Sequence, residues 1–489
     1  MTEHQPEYFY ETLSMLDYGM LAVEDPSHPM HTGALTIFDS GKMATEGGGI
    51  DFDALRDAFE GVLHHVPRYR QKLMWQDPLQ ALVTLRAPGW MERLAAQPPV
   101  WVDDPDFDID YHVRHISVPR PGAEDQLKEI ASRLLEAPLD RSKPLWEAWI
   151  IEGLEDGNFA VLIKVHHCMV DGMSGVGLAE HLLSLEPDQA AETPQPYRPR
   201  PAPTAADLHR EDVTNKLTSG ISAVGSLGER LLHPVSWWET AEHTLRSFAD
   251  VLSTNTGTMS DTPLNGELGP HRQIEWSYTP LADVKAIKNA LGCTINDALL
   301  LVVTGALRDY LRLHDVDLEE TPFRIGMPVD LRAEGDDTAG NQITLVLVEL
   351  PLTETRLDRQ LDAIRAQTGK LDKGNQTFVI NTIMSVVEYV PAVMPLIAKN
   401  FAGPGNCYLT NIRGPDVPLY QLGCEMVSCF PIAPLNGTMG LCIGAMSYQD
   451  QVCWGFACDP DLVPDVTRLR ELLEASATAT LDASAAHLR

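Results

Sequence analysis

Residues 159–185 read F-A-V-L-I-K-V-H-H-C-M-V-D-G-M-S-G-V-G-L-A-E-H-L-L-S-L, and this stretch limits the fold more tightly than the rest of the chain. The apolar, β-branched run of Val161, Leu162, Ile163 and Val165 predicts a buried strand. It ends on two adjacent histidines, His166 and His167. Asp171-Gly172 then turns the backbone, and Val176, Ala179, Leu182 and Leu183 fall on one face of a helix. A strand end and the loop after it form a rigid platform, a common location for chemistry.

A histidine with an ordinary pKa of about 6.5 can take a proton from a hydroxyl or an amine and return it to a leaving group. An aspartate a few residues on can bond to the imidazole, or pair with an arginine to hold the loop. Gly172 lets the chain turn where a Cβ would clash. Two plainer readings stand beside this one. His-His-x-x-x-Asp offers a metal at most three ligands, and adjacent histidines on a strand point to opposite faces, so no metal is expected. The pair could also be two satisfied core histidines.

At 489 residues the chain exceeds one ordinary core and predicts two domains. Its 37 basic and 69 acidic residues give a formal charge of −32. That argues against nucleic acid and against electrostatic docking on anionic lipid. The eight cysteines are scattered without a C-x-x-C pair, as expected of thiols in a reducing cytosol. The opening T-E-H-Q-P-E has no basic start followed by an apolar core, so no signal peptide is expected. From Gln376 to Ala398 the only charge is Glu388, yet Asn381, Pro391 and Pro395 also interrupt what would need about 20 apolar residues to span a bilayer. One or two apolar helices, either buried or at a membrane surface, are expected there.

Along the chain, Leu13 to Phe38 ends in a strand-like run, and Leu55, Ala58, Phe59, Val62 and Leu63 mark a helix that stops before Pro67. His64-His65 is a second histidine pair, but no Asp-Gly follows it. A strand is expected around Tyr111 to Val118, then a helix carrying Leu127, Ile130, Leu134 and Leu135. The run W-E-A-W-I-I from Trp146 should form a hairpin with the histidine strand through Asp156-Gly157. Pro187 to Pro203 reads as a mobile linker or surface crossover, and Val213 to Leu252 as helical. The expected division is therefore 1–186 and 271–489, joined by 187–270. In the second half, Thr294 and Asp297 can form a capping box. Phe323 to Val329, Ile343 to Leu350, Met439 to Tyr448 and Val452 to Ala457 read as strands, and a helix with Leu469, Leu472 and Leu473 closes the chain.

The motif His-His-x-x-x-Asp-Gly resembles the signature of the CoA-dependent acyltransferase superfamily. With L-S-M-L-D, D-P-S-H-P-M-H, Pro144-Leu145-Trp146, Asn296-Asp297, P-V-D-L-R, the Asn411 turn and the P-L-N-G…S-Y…G-F…D-P tail, the chain is similar to the bacterial wax ester synthase/acyl-CoA:diacylglycerol acyltransferase family. The likeness runs from about Leu13 to Asp465, apart from Pro187 to Pro270. The family turn usually reads Asn-Val-Pro-Gly-Pro, and here Arg413 takes the place of the middle proline.

The resemblance implies an α/β fold: two chloramphenicol-acetyltransferase-like domains with mixed sheets and flanking helices, facing each other across a channel. It implies an O-acyltransferase that moves a long-chain acyl group from acyl-CoA to diacylglycerol or a fatty alcohol. His167 would be the general base, with His166, Asp171 and Gly172 completing the catalytic block. Asp171 would hold the loop, with Arg332 as a guessed partner. Asn296 and Asp297, together with Pro144, Leu145 and Trp146, are the expected substrate-binding residues. Asn296 is also a candidate donor to the oxyanion. A helix first-turn role for Asn296 and a core-anchor role for Trp146 stay open. No acyl-enzyme is needed, so Cys168 is expected to be dispensable. No cofactor is expected beyond acyl-CoA as co-substrate. The expected location is cytoplasmic, peripherally on the inner membrane or on lipid droplets. Two other readings remain: a condensation-type enzyme with another hydroxyl or amine acceptor, and a non-catalytic lipid-droplet binding protein.

Overall fold

The computed structural model describes residues 8–25, 27–46, 49–75, 98–169, 174–204, 206–208, 260–330, 343–368 and 405–487. The expectations for Asp171, Gly172, the helix over 213–252, Arg332 and Gln376 to Ala398 lie outside these residues.

Among the described residues, two six-stranded sheets carry the fold, beside a smaller three-stranded one. The first draws on β1 (His31–Phe38), β2 (Val113–Ser117), β3 (Trp146–Glu152) and β4 (Phe159–His166). The second is built from β5 (Gln273–Pro280), β6 (Arg324–Asp330), β7 (Ile343–Glu349), β8 (Cys407–Arg413), β11 (Leu441–Tyr448) and β12 (Gln451–Cys458), in the order β7-β6-β8-β11-β12-β5. Two further strands, β9 (Tyr420–Gln421) and β10 (Cys424–Ile432), belong to the first sheet, whose order is β9-β10-β1-β4-β3-β2. Both sheets are mixed: β2 runs parallel to β3, and β8 runs parallel to β6 and β11.

One strand crosses between the two expected units 1–186 and 271–489. Residues 426–432 of the C-terminal half pair antiparallel with β1, from Met426 opposite Phe38 to Ile432 opposite Gly33. Alternation along a strand reveals which face is apolar but not which edge it joins, so the exchange could not be read from pattern. The exchanged strand also brings the sheets together. A Cβ on Gly455 would lie 2.2 Å from the carbonyl oxygen of Pro431, so only glycine admits that approach. One core then mixes Leu35, Ile151 and Leu162 with Trp276, Phe430 and Cys453.

The histidine strand β4 is central, between β1 and β3, and buried on both faces. That explains its continuous apolar run. The expected hairpin is present, with β3 antiparallel to β4. Helix α1 (Met15–Val23) precedes β1, and α2 (Phe52–Val62) buries Leu55, Ala58, Phe59 and Val62. Helix α3 (Glu124–Glu136) is pinned by side chains from the sheet. Fully buried Lys164 donates to the carbonyls of Leu134 and Ala137 at 2.9 Å each, and His31 Nε2 donates to that of Leu135 at 2.5 Å. These are the orphan carbonyls of a helix C-terminus, where cations are favoured.

Further along the chain, α4 (Ser174–Leu182) leads to residues 187–204, which are irregular but not loose. Arg200 grips Asp103 through Nε (2.9 Å), NH2 (2.8 Å) and its backbone N–H (2.9 Å). Tyr197 donates to the carbonyl of Arg70 at 3.1 Å, and Phe9 donates its N–H to Pro201 O at 2.9 Å. The expected mobile linker is a strap, because Arg200 and Tyr197 find partners 97 and 127 positions away in the chain.

In the second half, α5 (Leu281–Leu291) ends at Gly292 in the left-handed region, and α6 (Ile295–Leu313) starts on the expected capping box. These two helices are bent by 103° to each other and lie in the core. Among the described residues no single helix is long and apolar enough to cross a membrane. Helix α7 (Leu357–Thr368) and the closing helix α8 (Val466–His487) complete the layer.

Candidate active site

The two motif histidines stand at the last residue of β4 and the first residue of the 3-10 turn after it. Their backbones are tied to different neighbours. The His166 N–H donates to Leu145 O at 2.9 Å, and the His167 N–H donates to Met30 O at 2.8 Å. The P-L-W block and the segment before β1 therefore meet at the pair, although they are far apart in sequence.

His166 is 1% exposed. Its Nδ1 accepts the backbone N–H of Cys168 at 3.1 Å, which leaves the ring proton on Nε2. That nitrogen lies 3.4 Å from Oε2 of Glu24, an electrostatic contact rather than an aligned hydrogen bond. Glu24 also accepts Arg141 Nε at 3.0 Å, pairs with the same guanidinium's NH2, and takes the N–H of Met30 at 3.1 Å. Burial alone would raise the Glu24 pKa, but His166 and Arg141 beside it outweigh that and hold the carboxylate well below its ordinary range. Glu24 and Arg141 thus form an anchor that motif reading did not reveal. They are 117 residues apart, and nothing in local periodicity marks a partly buried carboxylate as paired.

His167 is different. Its side chain retains partial exposure, while Nδ1 is buried without a hydrogen-bond partner among the described residues. Burial, with His166 beside it, lowers its pKa from 6.5, so the ring is neutral near neutrality. A neutral imidazole on a rigid backbone can accept a proton from an incoming nucleophile. The next residue, Cys168, is buried and its thiol pKa is pushed far up by that burial, which makes it a poor nucleophile.

The remaining candidates separate into two groups. Pro144, Leu145 and Trp146 are buried. The Trp146 indole is wholly enclosed: it donates to Tyr69 O at 2.8 Å and stacks on His112 at 4.6 Å between centroids. His112 Nδ1 in turn donates to Trp146 O at 2.7 Å. Asn296 and Asp297 lie on the other sheet's side of the fold, in the first turn of α6. Asp297 Oδ2 accepts the Thr294 N–H at 3.0 Å and lies 3.6 Å from Arg365, an arrangement that caps the helix. Exposed Asn296 offers its Oδ1 to Asn411 Nδ2, so the N-D block meets the Asn411 stretch, whose first three residues extend β8 rather than form the expected turn, in one amide pair. Arg413, the departure in that turn, ends β8 with its side chain exposed.

A family model described as the wax ester synthase/diacylglycerol acyltransferase catalytic domain matches residues 13–299, and the WS/DGAT C-terminal domain matches residues 339–479. A Mycobacterium tuberculosis H37Rv protein bearing the name diacylglycerol O-acyltransferase is 32% identical, over 95% of this chain and 91% of its own. Another from the same strain, also so named, is 27% identical over 94% of each. Among solved structures, a wax ester synthase/diacylglycerol acyltransferase from Marinobacter aquaeolei VT8 superposes with a TM-score of 0.64 at 24% identity, covering 96% of this chain and 98% of that one. A condensation domain of the calcium-dependent antibiotic synthetase gives 0.58 at 15% identity, covering 98% of each, and shares the fold.

Proposed function

The chain belongs to the wax ester synthase/diacylglycerol acyltransferase family, and from that premise we propose that it uses His167 as the general base of an acyl transfer from acyl-CoA to a lipid hydroxyl. It is an O-acyltransferase of triacylglycerol or wax ester synthesis. The observation that supports the base assignment is the asymmetry of the histidine pair: His166 is buried beside Glu24 with its Nδ1 taken by the Cys168 N–H, whereas His167 keeps partial exposure and a neutral ring.

The acceptor hydroxyl gives its proton to the His167 imidazole as its oxygen attacks the thioester carbonyl. Collapse of the tetrahedral adduct breaks the C–S bond, and the imidazolium proton goes to the departing thiolate. The buried thiol of Cys168 takes no part. The reaction needs no group beyond the two substrates. Binding to a membrane or droplet surface would be peripheral and through apolar contact, since a chain of charge −32 gains nothing from anionic lipid. Washing with high salt should then leave it on membranes, and release by salt alone would refute that part of the reading.

The test is one acyl-CoA against a panel of hexadecanol, diacylglycerol, a sterol and an amine, with thiol release measured and products separated by lipid class. Thiol release that depends on a lipid hydroxyl supports the reading. Turnover only with the amine, or only from a carrier-bound acyl group, would replace it.

A further inference from the structure

The second histidine pair, His64-His65, has no place in the acyl transfer, yet its surroundings are built. Both residues follow the last turn of α2, and the strap brings Glu192 against them. A Cβ on Gly61 would lie 2.1 Å from the Glu192 carbonyl oxygen, so the strap's backbone sits directly on the helix at this point. His65 Nε2 lies 2.9 Å and 3.1 Å from the two carboxylate oxygens of Glu192, and His64 Nε2 lies 3.5 Å from Oε2. The Gln195 amide stands 3.4 Å from His64 Nε2.

The tautomer of His64 is fixed by chemistry. Its Nδ1 is 2.8 Å from the carbonyl of Gly61, which can only accept, so Nδ1 carries the hydrogen. The lone pair of Nε2 then faces both the Gln195 amide, which can donate to it at 3.4 Å, and Glu192 Oε2 at 3.5 Å, and a cation held between imidazole and carboxylate would satisfy both electron-rich atoms. An imidazole whose other nitrogen donates to a backbone carbonyl is the arrangement metal-ligating histidines adopt. The spacing agrees. Ligand bonds of about 2.0–2.1 Å around a tetrahedral Zn²⁺ place ligand atoms about 3.3 Å apart. The three ligand atoms here lie within 4.8 Å of one another, and the side chains are accessible to an ion from solvent.

We propose that His64 Nε2, His65 Nε2 and the Glu192 carboxylate form a binding site for a divalent transition metal of the Zn²⁺ class, which clips the strap to the end of α2. Imidazole and carboxylate suit this class of ion. A water or the Gln195 amide oxygen, after a flip of its side chain, completes the tetrahedron. The ring of His65 also stacks on His181 at 4.3 Å and 14° between planes, so the clip reaches the last turn of α4, the helix that leaves the catalytic loop. The strap it fastens closes one side of a cavity of 170 Å³ lined by His64, Arg70, Asp103, Tyr197 and Arg200.

The test uses the full chain without an affinity tag, stripped with chelator and titrated with Zn²⁺ by calorimetry. One equivalent should bind, and His65→Ala and Glu192→Gln should each weaken that binding by about 10–100-fold. His271→Ala, at another histidine–glutamate contact (3.2 Å to Glu136), should leave it unchanged. Zn²⁺ should also slow proteolytic cutting within 187–204 in the parent chain and not in Glu192→Gln. No binding by the parent chain overturns the proposal, as does binding that survives both substitutions. Each of these side chains is partly exposed, so the variants are expected to fold.

Discussion

Oε2 of Glu24 lies 3.4 Å from Nε2 of His166, and this contact divides the labour of the histidine pair. Because Cys168 donates to the other ring nitrogen, His166 can only present N–H to the carboxylate. Glu24 also receives the N–H of Met30, whose carbonyl receives the N–H of His167. One carboxylate therefore orients the first histidine directly and the second through a single residue.

Replacing Glu24 with Gln removes the charge that balances Arg141 in a site where the two side chains are 10% and 20% exposed. Breaking such a pair from one side costs about 3–5 kcal/mol. Urea unfolding should show that loss, and turnover should fall while the KM for acyl-CoA changes little. A Glu24→Gln protein as stable and as active as the parent would remove Glu24 from the site.

His167→Ala should lower turnover by about 10²–10⁴-fold without unfolding the chain, the range for loss of a positioned general base. The pH profile adds a sharper check. Since the ring's pKa is depressed from 6.5 by burial and by His166, the acid limb of kcat/KM should have its midpoint below that value. An acid limb centred above 6.5 would contradict the environment described for His167.

Acid should weaken the fold before it silences the carboxylates. Burial, with Lys164 adding to it, pushes His31 down to about 3, and burial pushes His112 down to about 4. Between 6.5 and those values the unfolded chain binds protons that the folded chain refuses, so stability falls as pH drops through that window. Each residue contributes a loss of about 1.4 kcal/mol per pH unit. His112→Gln should flatten the fall in melting temperature between pH 6.5 and pH 4. An equally steep fall would show that His112 is not held neutral.

The parts of this molecule that sequence made legible are those governed by short-range pattern. The run from Val161 to Val165 had to be a buried strand, and it is central. Thr294 and Asp297 had to cap a helix, and both bonds are present. What pattern could not supply is partnership across long separations. Residues 426–432 complete the N-terminal sheet, Glu24 finds Arg141, and Arg200 fastens the strap to Asp103. Each depends on where two distant segments meet, and alternation or composition carries no record of that. Trp146 illustrates the boundary between the two. Its place after a proline and before a strand was visible, but its burial between His112 and Tyr69 was not.

Trp146 supplies a test of that distinction. With no exposed surface and its N–H bonded to Tyr69, Trp146→Ala should cost about 3–5 kcal/mol by the cavity it leaves. Trp146→Phe, a smaller loss, should shift the unfolding midpoint and leave the ratio of diacylglycerol to alcohol turnover unchanged. A changed acceptor ratio at unaltered stability would make Trp146 a wall of the substrate site instead.

Asn296 is the candidate through which the second half of the chain would reach the chemistry. Its Oδ1 is occupied by Asn411, which orients the amide and leaves its own Nδ2 hydrogens without a partner among the described residues. An oxyanion donor held in this way typically contributes about 10²–10³-fold to turnover. Asn296→Asp separates this role from a structural one, because the carboxylate still accepts from Asn411 and has no hydrogen to give. If the amide donates to the reacting carbonyl, Asn296→Asp should lose turnover on that scale with an unchanged melting temperature. Asn411→Ala, which frees the amide to rotate, should lose less. Full turnover in Asn296→Asp would confine the pair to tying α6 to β8, and the oxyanion donors would then have to come from elsewhere in the chain.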